Sequence, residues 1–206
     1  YSGVTSQDSV MTEIRNSSTG EVLCTSLNKL ADLDLKTDLE LPEYAAPRGL
    51  QDPEMRFAGI SMTEAKKIGF RTIGKGVVHQ DECMSNGHLQ LHNYMGRFSD
   101  SMPNLWGVLY PEATTETEGG AVLEYRMDYS RPLKSGDRYE LVSGFREAGS
   151  KTIRFAHLLF DVDSQQCCVS GESIGVRMDL VKRKAKAISA QLKASLEKIQ
   201  IHPRSD

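Results

Sequence analysis

What most constrains the fold is a single helical stretch set among β-rich segments. Leu91, Tyr94, Met95, Phe98 and Met102 recur at helical spacing and give one apolar face, and Pro103 predicts its end. Before it, Arg71 to Cys83 reads as β-rich through Ile73, Val77 and Val78, and Asn86-Gly87 supplies a turn. After it and an acidic loop from Glu112 to Glu118, four segments with short turns read as strands: Val122 to Tyr129, Asp137 to Glu147, Thr152 to Asp161 and Cys167 to Met178. In the first, Leu123, Tyr125, Met127 and Tyr129 alternate with Glu124, Arg126 and Asp128, the period of two that turns one strand face toward a core. A helix apolar on one side must bury that side, and strands joined by short turns pair antiparallel. The expectation is an α+β domain, one sheet packed on one long helix.

The flanks are organised differently. Residues 8 to 42 read as two strands and a turn, with Val10, Thr12 and Ile14 alternating and Ser17-Ser18-Thr19-Gly20 turning. Residues 43 to 62 hold Pro47, Pro53, Gly49 and Gly59 without any period and read as a connector. Ile188, Leu192, Leu196 and Ile199 place a Lys-rich amphipathic helix at the C-terminal end. The N-terminal segment echoes the one before that helix: an ungapped overlay sets Asp34-Leu35 on Asp179-Leu180, Ile14 on Leu159 and the Ser18-Thr19 turn on Asp163-Ser164. Residues 1 to 42 are thus expected to be the closing strands of a first repeat whose opening lies upstream of Tyr1.

Composition removes whole classes of function. Twenty-five Lys and Arg against 28 Asp and Glu give a net charge of −3, which leaves no footprint for phosphate-driven nucleic-acid binding. No apolar run approaches the roughly 18 residues of a membrane helix. Cys24, Cys83, Cys167 and Cys168 form no C-x-x-C pair and read as reduced thiols, which points to the cytoplasm, or to an organelle lumen if a transit segment once preceded Tyr1.

Among motifs, Gly69 to Lys75 has the spacing of a phosphate loop, but Gly76 stands where a Ser or Thr would bind magnesium and strand follows in place of helix. His88 and His92 stand four apart, yet no further ligand has metal spacing, so no metal is expected. The informative stretch runs from Val77 to Met95. Asp81 and Glu82 end a strand, Asn86-Gly87 turns, and an apolar-faced helix begins. A carboxylate beside a helix N-terminus can deprotonate water while free amides polarise a carbonyl, a hydrolytic site in outline. The structural alternative is a turn acid capping the helix, with Tyr94 and Phe98 as core.

The arrangement carboxylate-x4-Gly-His-x5-Tyr, followed by Arg131-Pro132-Leu133-Lys134-Ser135-Gly136-Asp137 leading into the next strand, resembles the hot-dog-fold acyl-CoA thioesterases of the hydroxybenzoyl-CoA thioesterase superfamily. The resemblance covers about residues 70 to 189. It implies a curved antiparallel sheet wrapped around a long central helix, in one complete unit (70 to 189) and one partial unit (1 to 42), with 43 to 69 connecting them and 190 to 206 as C-terminal helix and tail. Counting back from Gly87, Glu82 takes the position of the family's Asp, and Asp81 is the neighbouring alternative. Gln90 and Leu91 stand at usual Asn positions, and Met84 replaces a second Asp often seen there.

The resemblance implies hydrolysis of an acyl-CoA or acyl-carrier thioester, with coenzyme A present only as part of the substrate and no other cofactor. It assigns Glu82 as base or nucleophile, the amides near Gly87 and His88 to the carbonyl and Asn93 to water or substrate. Gln90 and Tyr94 fall to the substrate, and Arg131, Lys134 and Lys151 to the phosphates of CoA. It also implies pairing of units, as a homo-oligomer or within one chain. Two other readings stand beside it: a non-catalytic acyl-binding or dimerisation module, and a hot-dog hydratase or dehydratase, whose Asp-x-Asn-Pro-x-His type signature is absent.

Overall fold

The computed structural model describes residues 2–6, 9–29, 42–51, 57–109 and 117–203. The chain divides into two compact units, Tyr1–Arg48 and Gly49–Asp206.

In the first unit, β1 (Ser2–Ser6), β2 (Ser9–Arg15) and β3 (Val22–Lys29) form an antiparallel sheet in that order. Of the two strands and turn expected over residues 8 to 42, β2, the 16–21 turn and β3 are observed up to Lys29, and residues 30 to 41 of that stretch lie outside the described residues. Asn16 Oδ1 accepts the Ser18 and Thr19 amides, which shapes the turn. Glu13 joins Arg15 at 2.6 Å and accepts the Tyr44 hydroxyl at 2.6 Å.

The second unit holds a sheet of order β4-β6-β7-β8-β5, built from β4 (Arg71–Val77), β5 (Glu118–Tyr129), β6 (Arg138–Ala148), β7 (Thr152–Asp161) and β8 (Cys167–Asp179). Every ladder is antiparallel, and a short β9 (Lys184–Ala185) pairs the end of β8. α2 (Leu91–Leu109) packs Tyr94, Phe98 and Leu105 against Leu141, Phe145, Phe155 and Leu159 of the sheet. α3 (Ala190–Glu197) adds Leu192 and Leu196 to the same core, as its apolar spacing predicts.

Three local readings need correction. α2 does not end before Pro103 but runs through it to Leu109. Proline forfeits one helical hydrogen bond, but the turn beyond it is held by burial of Leu105, by Trp106 edge-on to Phe155 at 5.4 Å, and by Asn104 donating to the Ile73 carbonyl. The buried face of α2 is also rotated, since Leu91 and Met95 are exposed while Tyr94 and Phe98 are buried. Finally, the connector expected over residues 43 to 69 carries a helix beginning where its aperiodic part ends, α1 (Met62–Ile68), opened by a Ser61–Glu64 capping box and closed by Gly69 at φ +116°. Met62 and Ala65 pack with Phe57 and Phe70 on Val142, Ala156, Leu158 and Phe160, the sheet face opposite α2. The Gly49 and Leu50 amides donate to the Glu124 carboxylate on β5.

Candidate active site at the start of the long helix

The site is built on β4 and the turn that leads from it into α2. Of the glycines in and after the phosphate-loop spacing, Gly69 closes α1, while Gly74 and Gly76 are strand residues required by close packing. A Cβ on Gly74 would meet Ser101 Oγ at 2.6 Å, and one on Gly76 would meet the Tyr139 ring at 2.6 to 3.0 Å. β4 stops at Val77, so Asp81 and Glu82 do not end a strand as expected but lie on a single 3-10 turn, Gln80–Glu82. From there Cys83 bridges Leu89, and Gly87 adopts φ +81°, a conformation that glycine takes without strain.

Glu82 is the hub of this connection. Its backbone carbonyl accepts the Gln90 amide at 3.1 Å and Asn93 Nδ2 at 3.0 Å, which ties the turn to the first residues of α2. Its carboxylate Oε2 accepts the His79 amide and Arg97 Nη2, each at 2.8 Å. Partial burial would push this carboxyl up, but the His79 amide and the Arg97 guanidinium outweigh it and hold the group below its ordinary range. Glu82 is therefore ionised at neutral pH, and its side chain keeps 27% exposure to solvent. Asp81, one residue earlier, is exposed.

Arg97 escaped the sequence reading. Its side chain is only 9% exposed, its Nη1 donates to the Asn93 carbonyl at 3.3 Å, and its guanidinium lies over the Tyr139 ring at 4.7 Å. The available signal was the polar ridge Gln90, Asn93, Arg97 at three- and four-residue spacing beside the apolar face.

The remaining candidates separate into those near this hub and those away from it. The Gly87 amide donates to the Met84 carbonyl at 2.9 Å and the His88 amide to Asn86 Oδ1 at 3.1 Å, so both are engaged. His88 pairs with Lys134 in a bridge before the helix begins, and it shares no helical face with His92. Gln90 reaches back to the Cys83 carbonyl at 3.3 Å. Tyr94 is buried, accepts the Leu133 amide on its hydroxyl at 2.8 Å and meets Tyr129 edge-on. Arg131 is spent on Asp161, Ser164 and Gln166. Lys134 is exposed beside His88, whereas Lys151 lies in the turn at the far end of β6, so one unit cannot bring both lysines to a single phosphate group.

A family model described as the thioesterase-like superfamily matches residues 77–196, from the end of β4 through α3. The chain belongs to this superfamily. Solved structures agree on the fold of this thioesterase-like unit. YbaW, a probable thioesterase from Escherichia coli, is 17% identical with a TM-score of 0.52, over 63% of this chain and 98% of that one. SAV2348 from Staphylococcus aureus, solved in complex with CoA, is 16% identical at TM-score 0.56, over 66% and 90%. Slr0204 from Synechocystis, a 1,4-dihydroxy-2-naphthoyl-CoA thioesterase, is 12% identical at TM-score 0.53, over 64% and 98%. No curated protein matches the chain in sequence. The curled antiparallel sheet with its helix is the hot-dog fold that the Arg131–Asp137 turn implies.

Proposed function

We propose that the chain hydrolyses an acyl-CoA or acyl-carrier thioester, with Glu82 as the general base. The observation that carries this reading is the state of the Glu82 carboxylate: ionised, anchored through Oε2, and partly open to water at the start of α2. Among the described residues no donor meets Oε1. That oxygen takes a proton from water as the water oxygen attacks the thioester carbonyl. The tetrahedral intermediate then expels the CoA or carrier thiolate, which takes back the proton held on Glu82, and leaves a carboxylic acid with the base restored. Because the Gly87 and His88 amides are engaged, the carbonyl-polarising role moves to the Leu91 and His92 amides, which as first-turn donors have no acceptor within the helix. Lys134 on the rim is the cation offered to a CoA phosphate, and the CoA-bound SAV2348 fold favours that ligand class. No metal or organic cofactor enters this mechanism. Pairing of two units along β5 would complete the site, since β5 ends the sheet with Leu123 64% exposed.

The test is CoA release from a panel of acyl-CoAs by wild type, Glu82→Gln and Asp81→Asn. Glu82→Gln is expected to lower kcat by about 10²–10⁴-fold with folding intact, and Asp81→Asn to stay near wild type. Met84, standing where the family often has a second acid, favours one other reading, a non-catalytic acyl-binding module. Acyl-CoA binding by wild type without turnover across the panel would establish that reading instead.

A further inference from the structure

We propose that Arg97 is the positioning residue of this site: it fixes the rotamer of Glu82, so that Oε2 is consumed within the protein and Oε1 alone faces water. The inference rests on the reading of Glu82 as base. Arg97 is held from three sides, by the Glu82 carboxylate at 2.8 Å, by the Asn93 carbonyl one helical turn earlier and by the Tyr139 ring on β6, and it therefore joins the turn, the helix and the sheet. The ring has room there because Gly76 lacks a Cβ that would strike it. Arg97 Nε is buried with no hydrogen-bond partner among the described residues, so the Glu82 carboxylate and the Asn93 carbonyl take the guanidinium's two terminal nitrogens. A guanidinium suits the task better than an ammonium, because its planar fork donates to a carboxylate and a carbonyl in fixed directions at once.

The charged and titratable groups facing Glu82 are Arg97 from α2 and His79 from its own turn, with Asp81 adjacent in sequence and Tyr139 from β6 stacked on Arg97. Removing the Arg97 charge takes away one of the two influences that hold the carboxyl down. Arg97→Met is expected to raise the acid limb of kcat/KM by about one pH unit, the lower end of the effect of an adjacent cation on a carboxylate. It should also reduce kcat at neutral pH by about 10²-fold, as a misplaced catalytic group does. Arg97→Lys keeps the charge without the fork and should recover much of the acid limb but little of kcat.

The experiment measures pH–rate profiles of wild type, Arg97→Met, Arg97→Lys and Glu82→Gln on one acyl-CoA. Alongside them, 13C NMR titration of the Glu82 carboxyl requires no turnover, and circular dichroism checks folding. Full activity in Glu82→Gln would remove the base reading. Loss of activity in Glu82→Gln, together with a wild-type profile and Glu82 titration in folded Arg97→Met, would leave the base standing and overturn the role of Arg97. Should Arg97→Met fail to fold, Arg97→Lys decides: wild-type kcat there overturns the proposal, and reduced kcat with its acid limb near wild type supports it.

Discussion

The Tyr94 hydroxyl shows how one side chain separates a binding role from a structural one. A tyrosine seven residues after Gly87 fits the family pattern as a substrate contact, yet here its oxygen accepts the buried Leu133 amide and its ring packs on Tyr129. Tyr94→Phe would leave that amide without a partner. Stability is expected to fall by about 1–3 kcal/mol, the range for a buried polar group left unsatisfied. KM for acyl-CoA should stay within about twofold, since a lost substrate contact would appear mainly as weaker binding. Urea unfolding and steady-state kinetics on the same variant decide the matter, and a raised KM with unchanged stability would return Tyr94 to the substrate. The same contrast explains what was legible at this scale. Glu82 and Gly87 are found by counting along the chain, whereas Arg97 acts on Glu82 from 15 residues away, through a helix phase that no local motif encodes.

Elements were legible where periodicity and burial coincide. β6, β7 and β8 lie inside the sheet, and their bounds fall within about one residue of the expected ones because both faces are covered. α1 carries its own signature in Ser61, Glu64 and Gly69, but seven residues are too few for an apolar period to rise above the surrounding Pro and Gly. β5 is the instructive case. Its alternation is regular, yet Tyr125 and Met127 pack on the core while Leu123, the extra residue where the ladder to β8 slips between Val122 and Glu124, and Tyr129 remain exposed. A long edge strand carrying exposed apolar side chains invites another strand. We expect light scattering to give a dimer for wild type and a monomer for Leu123→Lys, with unchanged far-ultraviolet dichroism in the variant. A wild-type mass of one chain would exclude self-pairing through β5.

At the scale of the molecule, the larger unit carries polar groups inside its core that tie its stability to pH. His157 is fully buried between Ser143 and Ser173, with Nδ1 at 2.6 Å from one hydroxyl and Nε2 at 2.7 Å from the other, and Phe98 of α2 tilted against its ring. The neutral imidazole suits this place, because one nitrogen donates and the other accepts. Burial pushes its pKa down to about 3 from 6.5. On the opposite sheet face Glu140 is also buried, which alone would raise its pKa, but Lys66, Thr72 and Lys75 hold it at about 2 instead of 4.5. In both cases the unfolded chain binds a proton that the folded chain does not, over roughly pH 3 to 6.5 for His157 and pH 2 to 4.5 for Glu140, so stability rises with pH across each window. Acidification should therefore destabilise the protein in two overlapping stages, the first beginning near pH 6.5 before carboxylates with ordinary pKa values respond. Trp106, the one tryptophan of the chain, packs on Phe155 in this core and reports its unfolding by fluorescence. Urea midpoints followed at Trp106 between pH 8 and pH 4 should fall steadily below about 6.5. His157→Gln, less stable overall, should show a nearly flat midpoint from pH 6.5 to 5 and a fall only below that. An equal slope in the two proteins over that upper interval would mean that the acid sensitivity arises elsewhere than in the buried imidazole.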